Sequence, residues 1–490
     1  VFVCHYRHQG EYMFKTADGR VFTIYKDSVQ DSLFMVAAED KDYFVAKPEL
    51  GFEGEEVVSE GKKYTLGALN HANAEKMRAL FPFTAPARVL DRDKTMGVGD
   101  RLGVASDGHI KVFKKYPEIT PILSQQSIRE LTLTNRTFAD VIDSASFAVF
   151  RTGYKTGFGA DGDHVKTAKE VSYALESGCT MITLDCSEQI DNSIEGMSKA
   201  EVDAKYVQNK ELEDIYLNKS FDVGEGVTIS FDEEIFKRTV LVYCKAIDHA
   251  INIFNTLIMK DGKQVADFEV SIDETMTPTL PTQHFFVANE LVRKGVRVST
   301  VAPRFCGEFQ KGIDYKGDLK QFEAEMKIHA AISRHFGYKI SIHSGSDKFS
   351  IFPSAGKETK GKFHLKTAGT NWLEAVKLVA IKDPGLYREV HKYALKVFKE
   401  ATAYYHVTTD LTKIPDVDTI SDAKLPELFN NNDSRQLIHI TYGLILNEKN
   451  ADGSYAYKDR LYSLWRKYRD EYAELLFNHI GRHASEILKK

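Results

Sequence analysis

The chain has 490 residues, 43% of them apolar and 28% charged. That length is several times what one minimal core needs, and the composition excludes disordered, collagen-like and coiled-coil chains. The 65 Lys and Arg against 70 Asp and Glu give a formal charge of -5 with no long basic block, so nucleic acid is not an expected partner.

The first residues, Val1 to Arg7, lack the charged-then-apolar order of a signal peptide and do not begin with Met, which suggests a trimmed chain whose expected compartment is the cytosol. Residues 1–86 alternate in short runs such as Arg20-Val21-Phe22-Thr23-Ile24-Tyr25 and predict a small β-rich N-terminal module. Residues 87–385 predict a (β/α)8 barrel. Eight β-rich runs end there in polar or Gly residues: Thr95–Gly99, Pro121–Ser127, Phe147–Arg151, Thr180–Ser187, Asp267–Asp273, Arg297–Arg304, Lys339–Gly345 and Lys362–Gly369. Segments of helical period, Val165–Ser177, Glu233–Met259, Phe285–Lys294 and Gln321–Phe336, fit between most of them. Runs as apolar as Met181-Ile182-Thr183-Leu184 indicate strands covered on both faces, hence a parallel sheet. Such units closing on themselves make a TIM barrel with its active site at the strand ends, although an open α/β sheet would show similar alternation.

A charged insertion, residues 188–232, separates the fourth run from its helix and is long enough to serve as a lid. Residues 386–490 predict an all-α extension, with helices over Tyr387–Tyr405 and Asp459–Leu488 and a polar break at Asn430–Asp433. Leu241–Met259 is broken by Lys245, Asp248 and His249 and is no membrane span. Five cysteines, at 4, 179, 186, 244 and 306, show no CxxC spacing and predict buried thiols rather than disulfides or a zinc knuckle. No internal repeat is visible.

The predicted strand ends gather ionisable residues. Gly157-Phe158-Gly159-Ala160-Asp161-Gly162-Asp163-His164 reads as a glycine-rich loop delivering Asp161, Asp163 and His164 to a helix start; a plainer account makes one Asp the cap of that helix. In the fifth run Asp267, Glu269, Ser271 and Asp273 share one face, inward in a barrel or solvated on an edge strand. Arg304, Glu308 and Lys311 follow the sixth run, and His343, Asp347 and Lys348 close the seventh. One histidine among 16 is unremarkable, but His164 and His343 arrive from separate strand ends. With one carboxylate they make a two-His metal site open to substrate. By spacing alone Glu308, Glu269 and Asp163 can each be that carboxylate, and His364 is a competing imidazole.

The chain resembles the tagaturonate epimerases of bacterial hexuronate catabolism, which interconvert D-tagaturonate and D-fructuronate. The resemblance is carried by Gly99-Asp100-Arg101-Leu102-Gly103, the segment Gly159–Thr167, Arg304-Phe305-Cys306-Gly307-Glu308-Phe309, His343-Ser344-Gly345-Ser346-Asp347-Lys348 and Arg435-Gln436-Leu437-Ile438-His439. It implies a divalent ion, whether zinc, manganese, nickel or cobalt, held by His164, Glu308 and His343, and an acid/base pair formed by Asp163 and Glu269. Arg304, Lys311, Asp347 and Lys348 are then the expected substrate contacts. The two sugar acids differ at C4, β to the ketone, where the hydrogen is not acidic, so retro-aldol cleavage and re-closure is the expected route. NAD-assisted oxidation is disfavoured because Gly97-Val98-Gly99 lacks the third glycine of a dinucleotide fingerprint. A neutral fructose/tagatose 4-epimerase and a non-catalytic aldolase-like barrel are the alternatives.

Overall fold

In the computed structural model, residues 6–8, 11–367 and 369–489 are described. The eight strands of a closed, all-parallel barrel are β1 (Lys94–Gly97), β2 (Thr120–Ser127), β3 (Gly159–Val165), β4 (Met181–Asp185), β5 (Asp267–Ile272), β6 (Thr300–Pro303), β7 (Lys339–Ile342) and β8 (Phe363–Lys366), β8 pairing with β1. Seven of them lie within or overlap the predicted runs. The third does not. Phe147–Arg151 is the end of a helix, Phe138–Arg151, started by a capping box between Thr137 and Asp140. Phe147 and Phe150 pack on the N-terminal sheet while Ala145, Ala148 and Val149 pack in the barrel layer. A helix buried on both sides loses its polar stripe and reads as a strand.

The true third strand is the glycine-rich segment. A Cβ on Gly159 would lie 2.5 Å from Ile122 Cδ1, and one on Gly162 would lie 2.7 Å from Ala174 Cβ, so these glycines admit close neighbours rather than a turn. The helix after β3, Ala168–Glu176, is capped by Thr167 with Glu170, which leaves Asp161 and Asp163 no capping role.

The N-terminal module is a seven-stranded sheet, antiparallel throughout, from Tyr6–His8 to Lys62–Ala68, followed by the helix His71–Leu80. Its strands alternate: Phe34 and Val36 face one apolar cluster, while Leu33 and Met35 face Ala74, Met77, Phe147 and Phe150. Most of the insertion, with its short helices and the hairpin Lys219–Asp222/Thr228–Phe231, packs sideways. There Tyr216 and Phe221 meet Phe286 and Phe285 of the helix Pro281–Arg293. The C-terminal extension is helical, from Pro384–Ala401 to Arg469–Ile487, and the predicted Asp459–Leu488 helix is two helices separated at Tyr468. Asn431 caps Asn432–Ile440. Cys179, Cys186 and Cys306 are buried free thiols and Cys244 is half-buried; Cys4 lies outside the described residues. No helix among the described residues is long and apolar enough to cross a membrane.

Candidate active site

Strand alternation decides which side chains enter the barrel. Low on β5, Asp267 accepts from the backbone amides of Val89 and Leu90, each at 2.9 Å, and from Arg88 Nε at 3.0 Å, which closes the barrel floor. One layer higher, Glu269 meets Asp161 and Asp163 of β3, Thr183 of β4, Thr300 of β6 and Lys366 of β8. Lys366 Nζ lies 2.9 Å from Asp161 Oδ2, 2.7 Å from Asp163 Oδ1 and 3.0 Å from Glu269 Oε1, and it also donates to Thr183. All of these side chains are buried.

Such a cluster survives only because opposite charges share it. Burial would keep the carboxylates neutral, yet Lys366, then the nearby imidazoles, holds Asp163 and Glu269 well below the usual carboxylate range. Asp161 is the exception: burial, only partly countered by Lys366 and reinforced by Asp163 and Glu269, lifts it to about 7. Burial opposes the Lys366 ammonium, but the same three carboxylates raise its pKa well above normal.

At the strand tips β3 breaks its alternation. Its register with β4 shifts between Gly162 and Val165, and His164 adopts a left-handed φ of +52°. A bulge of this kind lets two consecutive residues serve one site. Asp163 Oδ1 accepts from His164 Nδ1 at 2.8 Å, and Glu269 Oε1 pairs with His343 Nε2 at 2.6 Å. Each histidine thus has one nitrogen pinned by a carboxylate, the arrangement that fixes the tautomer and ring angle of metal-binding imidazoles. The ring centroids are 4.8 Å apart, and one ligand atom each from His164, Asp273 and His343 all lie within 4.8 Å of one another. His343 Nδ1 is buried, 3.2 Å from Asp273 Oδ2, and makes no aligned hydrogen bond. Two nitrogens and one carboxylate, with one nitrogen orphaned, fit a divalent ion with open positions. In the ion-free arrangement burial disfavours the imidazolium, but Asp273 and Glu269 raise His343 to about 10; a bound cation would replace that proton.

Two cavities of about 320 and 480 Å³ open above these atoms and share Arg129, Asp273, Glu274, Lys311, His343, Ser344 and Tyr405. The inner one is also lined by Asp163, His164 and Lys366, whereas Glu269 lines neither. Of the insertion only Asn192 reaches either, so the residues over the mouth come instead from the C-terminal extension, at Tyr404, Tyr405 and His406.

Several expected contacts lie elsewhere. Glu308 is exposed on the rim of the outer cavity, its carboxylate on Gln310 Nε2 and its backbone paired with Lys316; it does not join the imidazoles, and Asp273 takes the place expected of it. The reason is distance along the chain: Glu308 stands five residues past the end of β6, beyond Gly307, whose φ of +74° turns the loop. Asp347 and Lys348 line neither cavity. Asp347 is held by Arg435 Nη2 at 2.8 Å and His479 Nε2 at 2.6 Å, and Lys348 Nζ donates to the carbonyls of Gln310, Ile313 and Ser346. Both brace the loop after β7 instead of facing substrate. Burial lowers the Lys348 ammonium to about 7. Arg304 lines only the outer cavity, and Lys311 lines both. His364 sits a layer below the site, with Nδ1 on Thr95 Oγ1 at 2.9 Å.

The residues that sequence reasoning missed are Lys366 and Asp161 as members of the cluster and Asp273 as a possible ligand. The signal for Asp273 was present, since it shares the inward face of Glu269. For Lys366 the signal was a lysine two residues after His364, at the end of a strand with no solvent side.

The tagaturonate epimerase family matches residues 11–487. A tagaturonate/fructuronate epimerase of Thermotoga maritima is 41% identical over 484 residues, covering 96% of this chain and 98% of that protein. Solved structures of fructuronate-tagaturonate epimerase from Cohnella laeviribosi are similar in fold. One with a glycerol complexed superposes with a TM-score of 0.91 at 48% identity, covering 95% of this chain and 96% of that one. The native form gives 0.91 at 47%, with the same coverage. The chain therefore belongs to the tagaturonate epimerase family and is an isomerase.

Proposed function

We propose that this protein interconverts D-tagaturonate and D-fructuronate at C4 with a divalent ion held by His164, Asp273 and His343. The observation that carries the metal reading is the buried Nδ1 of His343, 3.2 Å from Asp273 Oδ2 without an aligned hydrogen bond, with His164 beside it. When bound there, a divalent ion would supply Lewis-acid stabilisation of negative charge on the ketone side of the substrate.

The C4 hydrogen has no adjacent carbonyl, so the bond to break is C3–C4. Asp163 lines the inner cavity and is held ionised, which suits it to accept the C4 hydroxyl proton. As that O–H pair becomes the aldehyde C=O, the C3–C4 pair passes to the three-carbon enediolate. The aldehyde turns, C3 attacks its other face, and the new C4 alkoxide takes a proton back. The acid side of the pair is Lys366, which lines the inner cavity and whose Nζ lies 3.0 Å from Glu269 Oε1. Glu269 acts through Lys366 and His343 rather than on substrate.

The test is chelation and metal add-back on purified protein while following tagaturonate conversion, alongside His164→Ala and His343→Ala. Loss on chelation with recovery on add-back, and metal-poor but folded variants, are expected; full turnover by metal-free protein would sink the reading.

A further inference from the structure

Resting on that reading, we infer that Lys311, with Arg129 beside it, seats the carboxylate of the sugar acid and thereby sets the preference for uronates over neutral ketoses. The cations around the inner cavity divide into two kinds. Arg101 is paired with Glu130 at 2.7 Å, Lys166 with Asp185 and Glu188 at 3.5 and 3.2 Å, and Lys366 with three carboxylates. Lys311 and Arg129 have no such partner among the described residues. The Lys311 ammonium makes one hydrogen bond, to Ser344 Oγ at 3.0 Å. The Arg129 guanidinium lies 4.7 Å over the Tyr405 ring and donates to the Tyr404 carbonyl at 3.3 Å. Neither contact neutralises a charge.

A half-buried ammonium without a counter-ion is costly, and desolvation followed by the repulsion of Arg129 lowers the pKa of Lys311, with Glu130 and Glu274 opposing. An incoming carboxylate relieves that cost. Both residues line both cavities, at their seam. Lys311 is tied to Ser344, the residue after His343, so an anion on Lys311 stands beside the proposed metal ligands. Arg304, also without a carboxylate partner among the described residues, lines only the outer cavity. In the retro-aldol route the carboxylate belongs to the fragment that must turn, so a seat there also retains that fragment between cleavage and re-closure.

The experiment measures kcat/KM on D-tagaturonate and on D-tagatose, which lacks the carboxylate, for the full-length enzyme and for Lys311→Met, Lys311→Arg and Arg129→Met, with metal content and melting temperature as controls. A charge-assisted hydrogen bond of the usual strength predicts that Lys311→Met cuts the tagaturonate-to-tagatose ratio about 10- to 100-fold, mainly through KM, and that Lys311→Arg restores most of it. Arg129→Met is expected to cut it less, because Arg129 is the more exposed of the two. A wild-type preference for tagaturonate that survives both Met variants overturns the carboxylate seat alone. A wild type that turns over tagatose at least as well as tagaturonate overturns the proposed function, and the seat with it.

Discussion

Replacing Glu269 by Gln keeps the shape of the side chain and removes its charge, which separates two roles that the sequence alone could not. Glu269 Oε1 touches His343 Nε2 at 2.6 Å and Lys366 Nζ at 3.0 Å, while Oε2 takes the Thr300 hydroxyl. A glutamine carbonyl in the Oε1 position still accepts from the imidazole, and Thr300 can rotate to accept from the amide, so no buried group is stranded. What is lost is the negative charge that makes His343 a better donor to a cation. Loss of such outer carboxylates weakens metal affinity about 10- to 100-fold, or about 1.4–2.7 kcal/mol, and the preserved hydrogen bond puts Glu269→Gln near the lower figure. Competition of the metal-free protein against a chelating dye at neutral pH reads this directly, with turnover measured at saturating metal. Unchanged affinity together with abolished turnover would refute the argument and make Glu269 a proton carrier only.

Lys366→Met removes the cation that touches all three of Asp161, Asp163 and Glu269, and stranding buried charge in this way costs about 3–5 kcal/mol at pH 8 in metal-free protein. In the wild type the depressed Asp163 and Glu269 contribute stability above the usual carboxylate pKa that is lost as pH falls through their folded values. In the variant burial raises the same groups, so its deficit grows as pH rises, and urea unfolding should show a smaller gap between the two proteins at pH 5 than at pH 8; a gap independent of pH would count against the cluster's charge balance. Epimerisation in D2O should leave C4 free of deuterium, since every proton moved sits on oxygen or nitrogen and none on C4, and stoichiometric label at C4 by NMR would eliminate the retro-aldol route.

The barrel was legible because doubly covered strands write long apolar runs, as in β4, and because helices on its outside keep one polar stripe. Both cues failed together around residues 138–165. There a helix lies between two apolar layers, and a strand is built from glycines that leave room for Ile122 and Ala174. Strand alternation pointed Glu269 inward and put His343 at a strand end, whereas Asp163 and His164 serve one site through the bulge in β3 that alternation does not announce. Glu308 failed because a loop beyond a left-handed glycine carries no periodicity to aim a side chain. Asp347 and Lys348 are ionisable residues next to a ligand-bearing strand, yet their partners, Arg435, His479 and three carbonyls, come from distant segments that no local pattern discloses.

The two-sided helix also sets the order in which the chain can become sticky during synthesis. The N-terminal sheet closes at Ala68 and the helix His71–Leu80 soon covers part of its Leu33, Met35 and Phe44 face with Ala74 and Met77, but the rest of that face waits for Phe147 and Phe150, about 80 residues after Ala68. At ordinary translation speeds of about 5–20 residues per second, that remainder stays uncovered for roughly 4–16 s. A holding factor at the ribosome has that window in which to act, and slower translation between residues 69 and 150 would lengthen it without altering one atom of the finished enzyme.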